Sequence, residues 1–66
     1  MKTVLNGRTV EVGPGLSLLD LIVTYKVKPD AVIVSVNDRV VKPGDWGGTM
    51  VNEGDCVELV SLVGGG

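Results

Sequence analysis

The first twelve residues alternate between apolar and polar positions on either side of an Asn6-Gly7 pair. Such a pair between two apolar runs favours a type I′ hairpin turn, because both residues tolerate the positive φ that this turn requires. With Asn6 and Gly7 as the loop, Leu5 lies opposite Arg8, which stands at the rim of one face. The other members of that face are Met1, Thr3, Leu5, Val10 and Val12. The pattern predicts that this face is buried.

The apolar residues change to a helical spacing after the break at residues 13–15, Gly-Pro-Gly. Ser17 followed by Asp20 is a capping-box signal for the start of a helix. We expect the helix to run from about residue 17 to residue 26 and to be stopped by Pro29. Its apolar stripe comprises Leu18, Leu21, Ile22 and Tyr25, widened by Leu19 and Val23. A helix this short is marginal in water, so it is expected to lie on a sheet.

The remaining residues predict short strands separated by turns. The segments are a Val-rich strand over 31–36, a turn at Asn37-Asp38, a brief return at Val40-Val41, a short edge strand over 49–51 and a last strand over 56–62. Trp46 lies in a glycine-rich loop between Val40-Val41 and residues 49–51 and is predicted to cover the core. In the last strand, Val57 and Leu59 are expected to face the core, whereas Glu58 points out.

A hairpin, a crossover helix and a last strand beside the first one predict the architecture. A strand–helix–strand crossover leaves its two strands parallel. The expected fold class is therefore α+β with a β-grasp (ubiquitin-like) arrangement, a mixed sheet of four to five strands with one main helix packed on one face. With 66 residues in all, we expect one β-grasp domain over residues 1–63 and a flexible C-terminal glycine tail over residues 64–66.

Composition excludes several kinds of site. The chain has no His and one Cys, so it cannot assemble a conventional zinc site or a His-dependent nucleophile by itself. Cys56 has no disulfide partner, is expected to be a half-buried apolar group and gives no indication of secretion. A sequence pI of about 4.7 argues against a nucleic-acid binder, and no apolar run is long enough for a membrane span. We expect a small cytoplasmic domain that works through protein partners.

Charge is unevenly distributed along the chain. Residues 1–42 hold all six basic residues and four acidic ones, whereas residues 43–66 hold four acidic residues and no basic one. The C-terminal third is therefore acidic, and a basic partner surface would be attracted to it. The other interpretation is a solvated face that keeps a small protein in solution.

Three glycines follow the Val- and Leu-rich last strand. A glycine segment has no Cβ, so it can enter a narrow channel in another protein and present its carboxylate there. In extended form, the four residues 63–66 reach roughly 13 Å. A frayed end without function is the alternative interpretation of such a short segment.

Several short motifs are spread over the whole chain. They are Leu5-Asn6-Gly7, Ser17 with Asp20, Val34-Ser35-Val36-Asn37, Trp46 after Val40-Val41, Glu53-Gly54-Asp55 and Val63-Gly64-Gly65-Gly66. Together they resemble the ThiS-type ubiquitin-like sulfur carrier proteins of thiamine biosynthesis. In that family a ThiF-like enzyme uses ATP with Mg to adenylate the terminal glycine. A relay from cysteine, through a sulfur-relay protein or a cysteine desulfurase, then makes a thiocarboxylate, and thiazole synthase receives the sulfur.

The resemblance implies that Gly66 carries the sulfur and that Gly64 and Gly65 enter the partner. Strand alternation leaves Val60 and Leu62 on the outer face together with Glu58. The predicted partner-binding residues are thus Gly64, Gly65, Val63, Leu62, Val60 and Glu58. No catalytic residue, metal ligand or bound cofactor is expected, because a carrier is a cosubstrate and not an enzyme.

Other functions fit the same features. One is the small subunit of molybdopterin synthase, which shares the fold and the glycine tail. A carrier for a different sulfur pathway and a protein-conjugating modifier are also open. A β-grasp interaction module with an incidental tail belongs to a different class. Dependence on a free Gly66 carboxylate separates the carriers from the interaction module.

Overall fold

Five strands and one α-helix make up the part of the chain that the computed structural model describes, residues 1–25 and 31–61. In order, they are β1 (Lys2–Leu5), β2 (Arg8–Glu11), α1 (Leu18–Thr24), β3 (Val32–Val36), β4 (Arg39–Val41), a 3₁₀ helix (Pro43–Gly48) and β5 (Cys56–Ser61). The strands form one sheet in the order β2-β1-β5-β3-β4. β1 and β5 are parallel and the other neighbouring pairs are antiparallel. The predicted β-grasp arrangement is confirmed.

Both hairpins turn through residues with positive φ. Asn6 and Gly7 have φ values of 50° and 81°, and Asn37 and Asp38 have values of 51° and 68°. In the first hairpin Leu5 pairs with Arg8, as the two-residue loop predicts. Positive φ at both turn residues is what the twist of a tight hairpin requires. The alternation of the first strands and the turn residues therefore predicted the correct register.

Helix α1 begins with the predicted capping box. The Ser17 Oγ accepts a hydrogen bond from the Asp20 N–H at 3.1 Å, and the Asp20 carboxylate accepts one from the Ser17 N–H at 3.2 Å. The predicted apolar stripe is too wide, however. Leu18, Leu21 and Ile22 are fully buried, whereas Leu19, Val23 and Tyr25 are exposed. A helix of two turns touches the sheet only through positions three and four apart, so its flanking residues face solvent. The predicted end at residue 26 and Pro29 lie outside the described residues.

Trp46 closes the core from a 3₁₀ helix rather than from the predicted irregular loop. It is 2% exposed, and its indole N–H donates to the Val41 carbonyl at 2.9 Å. The buried apolar residues around it are Leu5, Leu18, Leu21, Ile22, Val32, Val34, Val51 and Val57. The predicted role of Trp46 as a cover for the core is confirmed, and its one polar atom is satisfied.

The predicted edge strand over residues 49–51 is absent from the described sheet. Instead, the segment runs along the start of the helix, where Met50 forms an isolated bridge with Ser17. The Leu18 N–H donates to the Thr49 carbonyl at 2.9 Å, and the Val51 N–H donates to the Leu16 carbonyl at 2.8 Å. These bonds satisfy the backbone that a sheet neighbour would otherwise satisfy, so the segment fastens α1 and does not widen the sheet.

Candidate functional site: the end of the last strand

The central strand β5 extends beyond the end of its neighbour β1. β1 lies beside it only at the start, where Val4 pairs with Cys56 and Leu5 pairs with Val57. On the other side β3 pairs with β5 from Val57 as far as Ser61, which lies opposite Val32. Within the described residues, the strand pairing on the β1 side therefore ends at Val57. We call residues 59–61 the distal end of β5.

The side chain of Asn6 takes the place of a neighbouring strand at the distal end. Its Oδ1 accepts a hydrogen bond from the Leu59 N–H at 2.8 Å, and its Nδ2 donates to the Leu59 carbonyl at 3.3 Å. The backbone N–H of Asn6 donates to the Val57 carbonyl at 2.9 Å. One turn residue thus continues the ladder of β1 by one further residue pair.

A denser set of hydrogen bonds holds the opposite end of β5 and Asp55, the residue before it; we call residues 55–57 the anchored end. The Asp55 carbonyl accepts from the Val4 N–H at 2.8 Å and from the Thr3 hydroxyl at 2.7 Å. The Asp55 carboxylate accepts from the Asn52 N–H at 2.8 Å and from the Asn37 side chain at 3.1 Å. Four bonds to one residue fix the strand where it enters the sheet.

The Asn37 side chain bonds the backbone of the anchored end, as the Asn6 side chain bonds that of the distal end. Its Oδ1 accepts from the Cys56 N–H at 3.0 Å, and its backbone N–H donates to the Cys56 carbonyl at 2.8 Å. Both asparagines occupy the first position of a hairpin turn with φ near 50°. Two separate hairpins therefore hold the central strand by hydrogen bonds, one at each end. We call the two bonds of the Asn6 side chain to Leu59 the Asn6 clamp.

The face of the sheet opposite the helix carries apolar side chains near the distal end. Val60 is 53% exposed and pairs with Ile33, which is 41% exposed, and Val40 on the edge strand is 70% exposed. Glu58 is exposed as well and pairs with Ser35, which in turn pairs with Val40. Paired residues point to the same side of a sheet, so these side chains share one face. We call Ile33, Val40 and Val60 the outer-face patch.

Alternation correctly predicted the direction of Glu58 and Val60, and of Val57 on the buried side. Cys56 is a correction, since it is exposed and not half-buried, because its parity in β5 places it on the uncovered face. The other predicted site residues, Leu62, Val63, Gly64, Gly65 and Gly66, lie outside the described residues. Their roles stay predictions.

Sequence reasoning missed the contacts of the two asparagines with β5. The sequence pattern predicts Asn6 only as a turn residue, yet its side chain bonds a strand residue 53 positions away. The available signal was the choice of asparagine, since glycine would satisfy the same φ without offering a side-chain amide.

Within residues 1–25 and 31–61 there is no group of three or more His, Cys, Asp and Glu residues that could hold a metal ion. No helix in the same two segments is long and apolar enough to cross a membrane.

Comparison with known proteins identifies the family. The model of the ThiS family matches residues 2–66. The chain belongs to the ThiS family. Its fold is that of a solved ThiS structure, the crystal structure of a thiamine biosynthesis protein from Geobacter metallireducens. That structure superposes with a TM-score of 0.87 at 30% identity and covers all of both chains. The solution structure of a thiamine biosynthesis protein from the same organism has a TM-score of 0.81 at 30% identity, over all of this chain and 88% of that one.

One curated relative of this ThiS-family chain is much longer. A protein named thiazole synthase, from Magnetococcus marinus, is 35% identical over 66 residues, which is 100% of this chain but 20% of the relative. The chain thus spans about a fifth of the length of the curated relative it matches. The resemblance to ThiS-type ubiquitin-like sulfur carriers is therefore confirmed by family and by fold.

Proposed function

We propose that this protein carries sulfur as a thiocarboxylate on Gly66 and donates it for the thiazole ring of thiamine. The observation that carries the proposal is the match to the ThiS family, which extends over residues 2–66 and so includes the Val63-Gly64-Gly65-Gly66 segment. The described part of the chain adds a rigid β-grasp scaffold with an exposed apolar patch near the end of β5.

The chemistry requires only a carboxylate from this chain. A carboxylate is a poor acyl donor, because its oxygen is a poor leaving group. In the proposed first step, the Gly66 carboxylate oxygen attacks the α-phosphorus of ATP and pyrophosphate leaves. A sulfide nucleophile then attacks the acyl carbon, a carbon–sulfur bond forms, and the bond to the AMP oxygen breaks. The products are the thiocarboxylate and AMP, with no net oxidation or reduction.

The partners follow from this sequence of steps. A ThiF-like enzyme would bind ATP with Mg and perform the adenylation, so this chain itself needs no bound cofactor. A sulfur-relay protein or a cysteine desulfurase would supply the sulfur as a cysteine persulfide, and a thiol reductant would supply the two electrons that bring this sulfur to the sulfide level. Thiazole synthase is the proposed acceptor, and the relative of that name, which contains a segment similar to this whole chain, supports it. The cytoplasm is the proposed compartment.

The proposed docking surface is the outer-face patch with Glu58 beside it. Three apolar side chains on one face, near the distal end of β5, suit a partner that closes over the carrier. The predicted contacts continue along the chain through Leu62, Val63, Gly64 and Gly65. Acidic residues of the C-terminal third would attract a basic rim on that partner.

The test is the intact mass of the protein after incubation with a ThiF-like enzyme, ATP, Mg and sulfide. The expected result is the replacement of one oxygen by one sulfur, located at Gly66 by fragmentation. Two matched controls are the chain without Gly66 and the chain extended by one alanine, and neither should change in mass. An unchanged mass of the unaltered chain, with an enzyme active on its own carrier, would reject the proposal.

A further inference from the structure

We propose that Asn6 is a positioning residue that holds the distal end of β5 so that the Gly66 carboxylate is delivered in a reactive position. The inference rests on the proposed function and deepens it. It concerns a residue that lies 60 positions before Gly66 in the sequence and belongs to the first hairpin.

The identity of Asn6 is explained by β5 and not by the turn. A type I′ turn is satisfied by glycine or aspartate at this position as well as by asparagine. Only the asparagine side chain offers both a donor and an acceptor in one plane. Both are used on the same residue, at 2.8 Å to the Leu59 N–H and 3.3 Å to the Leu59 carbonyl.

The distal end needs this support because β1 stops short of it. The pairing of Leu5 with Val57 is the last strand pairing on that side. Without the Asn6 amide, the Leu59 backbone would lose both of these bonds. Strand segments with exposed backbone and few buried contacts open most easily.

Gly66 lies seven residues beyond Leu59 in the sequence. The position of the distal end therefore sets the point from which the glycine segment reaches into a partner. Acyl transfer requires the reacting atoms at about 3–3.5 Å in the correct orientation, and small misplacements by remote substitutions reduce rates strongly. Loss of the Asn6 clamp should thus slow the chemical step, even when the carrier still docks.

The decisive variant is Asn6→Gly, with Asn37→Gly as its matched control. Glycine adopts the φ near 50° found at both positions, so each variant keeps its turn and loses one pair of side-chain bonds to β5. The control loses its pair at the anchored end, at the opposite end of the strand from Leu59. Asn6→Asp should have an intermediate effect. It keeps the acceptor for the Leu59 N–H, but it replaces the amide donor by an oxygen that repels the Leu59 carbonyl oxygen.

Two readouts are taken, after urea unfolding has confirmed that each variant is folded. The first is amide hydrogen exchange at Leu59, which should become faster in Asn6→Gly and stay unchanged in Asn37→Gly. The second is the kinetics of adenylation by a ThiF-like enzyme. We expect kcat to fall about tenfold in Asn6→Gly with a smaller change in KM, because Ile33 and Val40 of the docking patch lie on other strands. Asn37→Gly should keep kcat, and Asn6→Asp should fall between.

Equal kcat values for Asn6→Gly and the unaltered chain would overturn the inference, and so would equal losses in the two glycine variants. Unchanged exchange at Leu59 would overturn it as well, since the clamp would then not hold the strand. Failure of the unaltered chain to be adenylated would reject the proposed function instead, and the Leu59 exchange would still decide whether Asn6 holds the distal end.

Discussion

At its anchored end, β5 lies between two strands and forms hydrogen bonds with the side chains of Thr3 and Asn37. Towards its distal end, Leu59 pairs with β3 on one side and bonds the Asn6 amide on the other. On the face towards the core, Val57 at the anchored end is 1% exposed, whereas Leu59 at the distal end is only partly buried. The two ends of a single six-residue strand thus differ in both bonding and burial.

Because of this difference, we expect the anchored end to contribute most to stability and the distal end to be available to a partner. Apolar burial and satisfied backbone groups concentrate near residues 55–57, so that part of the strand is expected to open last. Further along the same strand, Glu58 and Val60 leave an acidic and an apolar side chain uncovered for a partner.

The largest expected effect on stability is that of Val57→Ala, compared with Val60→Ala in the same strand. Removing two buried methyl groups at position 57 should lower the free energy of unfolding by about 2–3 kcal/mol, through lost burial and the cavity left behind. The same change at the exposed position 60 should cost less than about 1 kcal/mol. Urea midpoints at constant m-value measure both. Equal losses at the two positions would contradict the difference in burial between Val57 and Val60.

Asp55→Ala should come next, with a loss of about 2 kcal/mol. The substitution leaves the Asn52 N–H and the Asn37 side chain without their carboxylate acceptor, and hydrogen bonds to charged groups contribute about 1.5–3 kcal/mol each when buried. Partial exposure of Asp55 reduces that figure. Asp45→Ala is the control for the loss of one negative charge, and its urea midpoint should move by less than half as much. A similar shift in both variants would mean that net charge, and not the bonds of Asp55, determines the loss of stability.

Gly54→Ala tests the turn that leads into the anchored end. Gly54 has a φ of 82°, where an L-residue with a Cβ is strained, and no other atom lies within 4 Å of the added carbon. The expected loss of about 1 kcal/mol is therefore purely conformational. Gly48→Ala adds the same methyl group in equally open space without positive φ, and it should not destabilise the protein. Thermal unfolding of the two variants side by side distinguishes backbone strain from crowding.

Local patterns predicted most of the fold. The Asn6-Gly7 turn, the Ser17 and Asp20 capping box and the alternation in β5 each act over a few residues, and each appears as predicted. The failures have a common cause. Whether Leu19 is buried, or whether residues 49–51 join the sheet, depends on what the rest of the chain places beside them, and no local period contains that information.

The candidate site also has one part that local patterns predict and another part that they do not. The outward direction of Glu58 and Val60 follows from alternation alone, and the structure bears it out. The Asn6 clamp on Leu59 could not be predicted, because a bond across 53 residues exists only once the hairpin and the last strand are neighbours. The roles of Gly66 and its preceding residues remain predictions, since they come from the family resemblance and not from contacts within this chain.

The smallest expected effect on stability, and a selective one on binding, belongs to Val60→Lys at the distal end. An exposed strand residue opposite Ile33 can be replaced with a change below about 1 kcal/mol in the free energy of unfolding. The substitution removes one third of the outer-face patch and adds a positive charge beside a partner expected to be basic. Affinity for a ThiF-like enzyme should therefore fall about tenfold, or about 1.4 kcal/mol, in a titration by calorimetry. Thr9→Lys adds the same charge on the same face of β2, two strands away from β5, and should leave the affinity nearly unchanged. If Thr9→Lys weakens binding as much as Val60→Lys, the distal end is not the docking surface, and the contrast between the two ends of β5 would concern stability alone.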